Sequence, residues 1–338
     1  MSAIKLYVEP TDRFGFVGDL HANETMSSRL DQYLDTCCEK LNSIGSICQN
    51  ENVRYLFFAG DIFHRVSCTH ECVNRIGNVL LSLQMRGIRL FSIYGNHDLL
   101  RNSLDPIALA RVPLTTLFNF NIMEHVCLDK PVEVYRIDEE EGVANSVKIT
   151  CADFGEKIPC ADKKFDKDIL MAHMFYDQTG FLSGEEENIP REKMEEYEYD
   201  MAFLGHDHEE HGKTYCGKTT VIRCGSLLRG TVHDYNFTRE PGFIIVDDVF
   251  NPSYVRKAIV PHRDYHDIIS QTALNRKVTA KPESVNRENL RNLAQRIASA
   301  GTENSEFMQE DVILKTIKED DSITPARRSI LMKYLSFQ

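Results

Sequence analysis

The chain has 338 residues, 42% hydrophobic and 27% charged, enough to bury a large core and in the ordinary range for a globular protein. Its formal net charge of −12 argues against a broad nucleic-acid-binding face. No apolar run approaches the ~20 residues that span a bilayer, and the opening MSAIKLYVEP lacks the basic and apolar pattern of an export signal, so a soluble, unexported chain is expected.

The charge is uneven. Residues 262–338 carry 12 Lys+Arg and 11 Asp+Glu, leaving 27 and 40 in residues 1–261. Bound metals could offset part of that acidity, and the runs Asp138–Glu141 and Glu185–Glu187 read as solvated loops. The ten cysteines include the neighbours Cys37 and Cys38 but no C-x-x-C pair. Free thiols in a reducing cytosol are therefore expected rather than disulfides or a zinc knuckle.

The first third alternates strand and helix signals. Phe14–Gly18 predicts a short buried strand. Over residues 25–44, Leu30, Tyr33, Leu34, Cys37, Cys38, Leu41 and Ile44 follow a helical period. Val53–Ala59 predicts a second strand. Thr69–Arg86 predicts a second helix, with Val73, Ile76, Val79, Leu80 and Leu83 on one face and Gly87 as its stop. Ile88–Tyr94 predicts a third strand. This alternation calls for a parallel sheet covered by helices.

Further along, Val132–Ile137, Val147–Cys151, Ile169–His173, Ala202–Gly205, Thr219–Arg223 and Gly242–Val246 read as strands joined by loops. The simplest architecture is an α/β fold, a two-sheet βαβ sandwich with flanking helices, over residues 1–260. Residues 261–283 read as a connector or capping segment, with a short strand or turn at Tyr265–Ile269. Helical periods follow at Ser284–Ala300 and Ser305–Glu319, and Thr324–Pro325 opens a last helix. Residues 284–338 thus form a small helical C-terminal region, either a packed cap or an arm that docks a partner.

Four stretches each follow an apolar run and open with Gly: GDLH at Gly18–His21, GDIFH at Gly60–His64, GNHD at Gly95–Asp98 and GHDH at Gly205–His208. One Asp-x-His is weak evidence; four in order behind strands point to a metal cleft. Asp19 and His21 can turn toward one cation, and the two carboxylate oxygens of Asp61 can bridge two. Asn96 offers an amide oxygen. His173 ends the run Ile169–Ala172, and His206 and His208 can reach different metals. Imidazole, carboxylate and amide oxygen together suit Mn²⁺, Fe²⁺ or Zn²⁺ better than Ca²⁺. Gly18, Gly60, Gly95 and Gly205 let backbone segments come close at the metal floor. Paired metals are the usual machinery for cleaving a phosphoester. His97 is placed to donate a proton to the leaving oxygen, with Asp98 available to orient it.

These stretches, with a later strand-end His and GHDH, resemble the calcineurin-like metallophosphoesterase family over about residues 13–247. The resemblance implies one metal on Asp19, His21, Asp61 and His208, a second on Asp61, Asn96, His173 and His206, and His97 as the acid. The chain is also similar to the nuclease subunits of double-strand-break repair complexes, the SbcD-like proteins and the phage recombination endonuclease subunits. His64 falls where those nucleases carry a second catalytic histidine. Cys224–Gly230 followed by Glu240–Phe243 resembles their segment after the last metal motif.

That narrower resemblance implies a DNA nuclease of repair or recombination with two divalent metals, Mn²⁺ foremost and Fe²⁺, Zn²⁺ or Mg²⁺ as alternatives. It also implies an SbcC-like ATPase subunit as partner, a homodimer through the first helices, and a cytoplasmic location (a host cytoplasm for a phage-type chain). Two other readings stay open: a phosphoesterase acting on small molecules or phosphoproteins, and a scaffold that keeps the fold without turnover.

Overall fold

The computed structural model describes residues 2–138, 142–178, 188–270 and 272–274. In chain order the strands are β1 (Ile4–Tyr7), β2 (Arg13–Val17), β3 (Val53–Phe58), β4 (Arg89–Ser92) and β5 (Glu124–His125). They continue with β6 (Val132–Asp138), β7 (Gly142–Ala152), β8 (Lys167–His173), β9 (Phe175–Asp177) and β10 (Asn188–Pro190). The last are β11 (Met201–Gly205), β12 (Gly212–Cys216), β13 (Thr219–Arg223), β14 (Gly242–Val246) and β15 (Val255–Ile259). One sheet runs β1-β6-β7-β8-β11-β13-β12 and the other β15-β14-β2-β3-β4-β5, while β9 and β10 pair separately.

The two sheets face each other across an apolar interior. Val134, Ile149, Met171 and Phe203 come from the first sheet, and Phe14, Phe16, Phe57, Phe91 and Val246 from the second. The Phe16 and Phe203 rings stack across the gap with centroids 3.7 Å apart. Two long helices, α1 (Tyr33–Asn50) and α2 (His70–Met85), cover the outer face of the second sheet. They are the crossovers of the parallel unit β2-α1-β3-α2-β4. The α/β two-sheet sandwich with flanking helices is thus the observed fold.

Helix α1 begins at Tyr33, later than the apolar period suggests, and runs on to Asn50 because Ile44 and Cys48 extend its buried stripe. The residues before it fold back instead. Leu30 N donates to Ile268 O at 2.8 Å, and the Leu30 side chain, which the period places in the stripe, is 67% exposed. Helix α2 starts where its sequence suggests: the Thr69 hydroxyl accepts from Cys72 N, and Gly87, with φ of +84°, closes the far end.

Part of the expected connector is packed structure. Tyr265–Ile268 forms one helical turn capped by Asp264, and Tyr265, Ile268 and Ile269 pack with Val232, Phe237 and Leu274. Residues 275–283 and the three helices expected over 284–338 lie outside the described residues. Among the described residues no helix is long and apolar enough to cross a membrane.

Candidate metal centre

Every candidate ligand sits at the C-terminal edge of a strand. Asp19 and His21 follow β2, Asp61 and His64 follow β3, and Asn96–Asp98 form a single 3₁₀ turn after β4. From the first sheet, His173 ends β8, and His206 and His208 follow β11. Strands β2, β3 and β4 are parallel, as are β8 and β11, so both sheets deliver these residues to one edge of the sandwich. Open α/β sheets place their sites at this edge.

The backbone bends sharply there. His21, Asp61 and His206 have φ of 51°, 50° and 79°, a left-handed region that residues with a Cβ seldom enter. Three such residues within one ligand set mark a local conformation held by its surroundings. Asp61 O accepts from Leu20 N at 3.1 Å and His21 N at 2.8 Å, which locks two of the bends together. Close approach requires glycine at Gly95, where a Cβ would stand 2.1 Å from Asp61 Oδ1.

Asp19, His21, Asp61 and His208 each offer a ligand atom, all within 4.8 Å of one another. His21 Nε2 lies 2.7 Å from His208 Nε2 and 3.5 Å from Asp61 Oδ2, and His208 Nε2 lies 3.4 Å from Asp19 Oδ2. On the other side of Asp61, its Oδ2 is 3.4 Å from His173 Nε2. Asn96 Oδ1 lies 3.0 Å from His173 Nε2 and 3.1 Å from His206 Nδ1. The structure therefore brings together all seven residues that the motifs nominate.

The donor set suits cations. His173 Nδ1 lies 2.6 Å from Ala59 O, which only accepts, so Nδ1 carries a proton and Nε2 is the nitrogen left to ligate a metal. Nε2 faces the Asn96 and Asp61 oxygens. Asp19 Oδ2 and Asp61 Oδ2 are buried with no hydrogen-bond partner. Buried oxygens converging without donors are what a metal would satisfy.

The local charges interact strongly. Burial pushes Asp61 upward, yet His173 and His21 beside it hold it well below the usual carboxylate range. Asp19 is raised by burial, and His21 is lowered well below the ordinary imidazole value by the same cause. Burial lowers His173 too, but the Asp61 charge outweighs it and the net direction is up.

At the mouth, His21, His64 and His97 form a second group within 4.8 Å. The His64 and His97 rings stack with centroids 5.4 Å apart, and His97 Nδ1 lies 2.7 Å from His64 O. His97 is thus oriented by the His64 carbonyl, not by Asp98. The Asp98 carboxylate accepts from Ile62 N, Phe63 N and Gly95 N at 3.1–3.3 Å. It ties the Asp61 loop to the Asn96 turn. Burial, then the Asp61 charge, push Asp98 up to about 8 against the pull of those amides.

Some supporting residues carry no motif. Asp153 Oδ1 accepts from Tyr94 N at 2.7 Å, and Oδ2 lies 2.9 Å from His125 Nε2, so it steadies the segment leading to Gly95. Its one sequence signal is its place just past an apolar strand, in Cys151-Ala-Asp. Phe154 sets its ring 6.0 and 5.8 Å from those of His173 and His206. Asp207 is buried against Arg223 at 3.4 Å, and His211 is half-buried 3.3 Å from Asp207.

The search of curated proteins gives no match to the chain. The family model for calcineurin-like phosphoesterase matches residues 12–210, a stretch that contains every candidate ligand and His97, and the chain belongs to that family.

Proposed function

We propose that the chain is a dinuclear, Mn²⁺-dependent DNA nuclease that acts in DNA repair or recombination with an SbcC-like ATPase subunit. The observation that carries the dinuclear reading is Asp61 Oδ2: one buried, unpartnered oxygen lies 3.5 Å from His21 Nε2 on one side and 3.4 Å from His173 Nε2 on the other. The nuclease reading draws on His64 beside His97, and on the Cys224–Gly230 segment, whose Leu227 N donates to Asp19 O at 2.7 Å.

Asp19, His21, Asp61 and His208 would hold one metal, and Asp61, Asn96, His173 and His206 the second. Bound divalent metals polarise the phosphoryl oxygens and make a water-derived nucleophile available near neutral pH. His97 serves the leaving oxygen. Its Nδ1 proton is committed to His64 O, so Nε2 is the nitrogen that exchanges a proton with substrate. In the doubly protonated ring Nε2–H protonates the departing alkoxide. Asn96, His97 and His64 are half-exposed, so substrate reaches them while Asp19 and Asp61 stay dry beneath.

End-labelled linear DNA, single- and double-stranded, incubated with Mn²⁺ and the purified chain tests the proposal. Label should be released by the native chain and by none of the His97→Ala preparation, whose metal content should be unchanged. Asp61→Ala should lose metal binding as well. Near-normal cleavage by His97→Ala would overturn the acid assignment. The acidity of residues 1–261, 27 Lys+Arg against 40 Asp+Glu, favours a second reading, hydrolysis of small phosphoesters. Turnover of aryl phosphates with none of DNA, in the presence of an ATPase partner, would establish it.

A further inference from the structure

Apart from the metal centre, three cations are packed around one cavity. Arg29, Lys40 and Arg229 are 9%, 5% and 4% exposed, and all three line a cavity of about 510 Å³. They come from three places: the segment before α1, the middle of α1, and the loop after β13.

Their partners leave an excess of positive charge. The Arg29 guanidinium pairs with both Asp31 oxygens at 2.8 and 2.6 Å, and its remaining nitrogen donates to Arg229 O at 2.9 Å. Arg229 donates only to the backbone carbonyls of Asn236 and Arg263, and lies over the Tyr265 ring. Lys40 Nζ donates to Pro261 O at 3.2 Å. Arg239, behind Arg229, donates to the Ser226 and Leu228 carbonyls, the Ser226 hydroxyl and the Asn236 amide oxygen. Among the described residues, no carboxylate forms an ion pair with Lys40, Arg229 or Arg239. Burying a charge without a counter-charge is unfavourable. Burial, then the neighbouring Arg229, Arg239 and Arg29, push the Lys40 ammonium down to about 7.

We propose that this cavity binds the phosphoryl group of a small anionic ligand, at a site separate from the metal centre. Arg29, Lys40 and Arg229 line it together with Asp31, the partner of Arg29, and Glu39, and the Thr36 and Ser43 hydroxyls in its wall donate to Asp31 Oδ2 and Glu39 O, which leaves the cations as its donors. Such donors match the several oxygens of a phosphoryl group, and the volume is that of ordinary small-molecule sites. An anion there converts mutual repulsion among Lys40, Arg229 and Arg239 into attraction. The loop after β13 links the two sites along the chain: Leu227 N donates to Asp19 O, Arg229 follows two residues later, and the Ser28 hydroxyl donates to Gly230 O.

Calorimetric titration of the full chain, stripped of metal with a chelator, tests the site with pyrophosphate in one arm and a nucleoside diphosphate in the other. Binding in both arms assigns the site to any free phosphoryl anion; binding of the nucleotide alone makes its base part of the ligand. In either case Lys40→Met should weaken binding at least ten-fold, and Lys40→Arg should hold it within about three-fold. Asn42→Asp, at the exposed rim, should weaken it without disturbing the core, and keeps the test decisive where Lys40→Met fails to fold. No binding of either anion at millimolar concentration, or native affinity in both Lys40→Met and Asn42→Asp, would overturn the proposal.

Discussion

Gly95→Ala should damage the metal centre far more than it damages the fold. The added methyl carbon would stand 2.1 Å from Asp61 Oδ1, 2.4 Å from Asp61 N and 2.8 Å from Asp61 Cγ, where 3.4 Å is ordinary contact. A gap of about 1.3 Å must open between the Asn96 turn and the Asp61 loop. Asp61 Oδ1 also accepts from His97 N at 2.9 Å, so the movement carries both the shared carboxylate and the candidate acid. Misplacing reacting groups by ~1 Å costs on the order of 10²-fold in rate, whereas overpacking one methyl into a packed site costs about 1–3 kcal/mol of stability. Turnover of a generic phosphodiester with Mn²⁺, metal binding by titration calorimetry and urea unfolding would be followed on the same preparation. We expect turnover to fall about a hundred-fold with the unfolding transition still cooperative. Turnover within about three-fold of native would show that the turn yields cheaply and would refute the close-approach reasoning.

Two further outcomes are expected. Phe203→Ala, which removes the ring stacked 3.7 Å from Phe16 between the sheets, should cost about 3–5 kcal/mol in urea unfolding while the local geometry of the ligand loops survives in the folded fraction. Lys40 should impose a pH dependence on stability. Its folded value near 7 lies below the ordinary 10.5, so between those limits the unfolded chain holds more protons there and stability rises with pH. Burial lowers Arg239 to about 10, so the rise that belongs to Lys40 is read below that value; Cys37, pushed up to about 12 by burial, stays neutral there, and Asp31 and Glu39 are the acids of the cavity wall. Lys40→Met should flatten the rise, measured by urea unfolding in phosphate-free buffers; an unchanged slope would count against a buried, depressed ammonium.

The strands legible in the sequence were those with both faces covered. β11 and β14 read as unbroken apolar runs because helices or a second sheet cover each side. The four edges, β1, β5, β12 and β15, escaped notice. β12 shows one buried residue in Gly212–Cys216 and β15 one in Val255–Ile259, so neither presents an apolar run. The start of α1 differs from the sequence pattern because Leu30 falls on the helical period by spacing alone, while its own backbone amide is bound to Ile268 O, a partner some 240 residues away that no local pattern can announce.

The ligands were legible for a related reason. Metal-binding chemistry confines the choice to His, Asp and Asn, and a strand end confines the position, so the two restrictions together leave a recognisable signature. Orientation is not restricted in this way. His97 could have been aimed by any acceptor, and the neighbouring Asp98 was the nearest in sequence. Instead a backbone carbonyl, His64 O, takes that place, and every residue carries one. Asp98 is turned inward by three amides whose positions depend on two separate loops. The division follows from physics: side-chain identity decides which atoms can bind a cation or move a proton, and is written in the sequence. What aims those atoms is mostly backbone, and backbone groups become distinct only once the chain has folded.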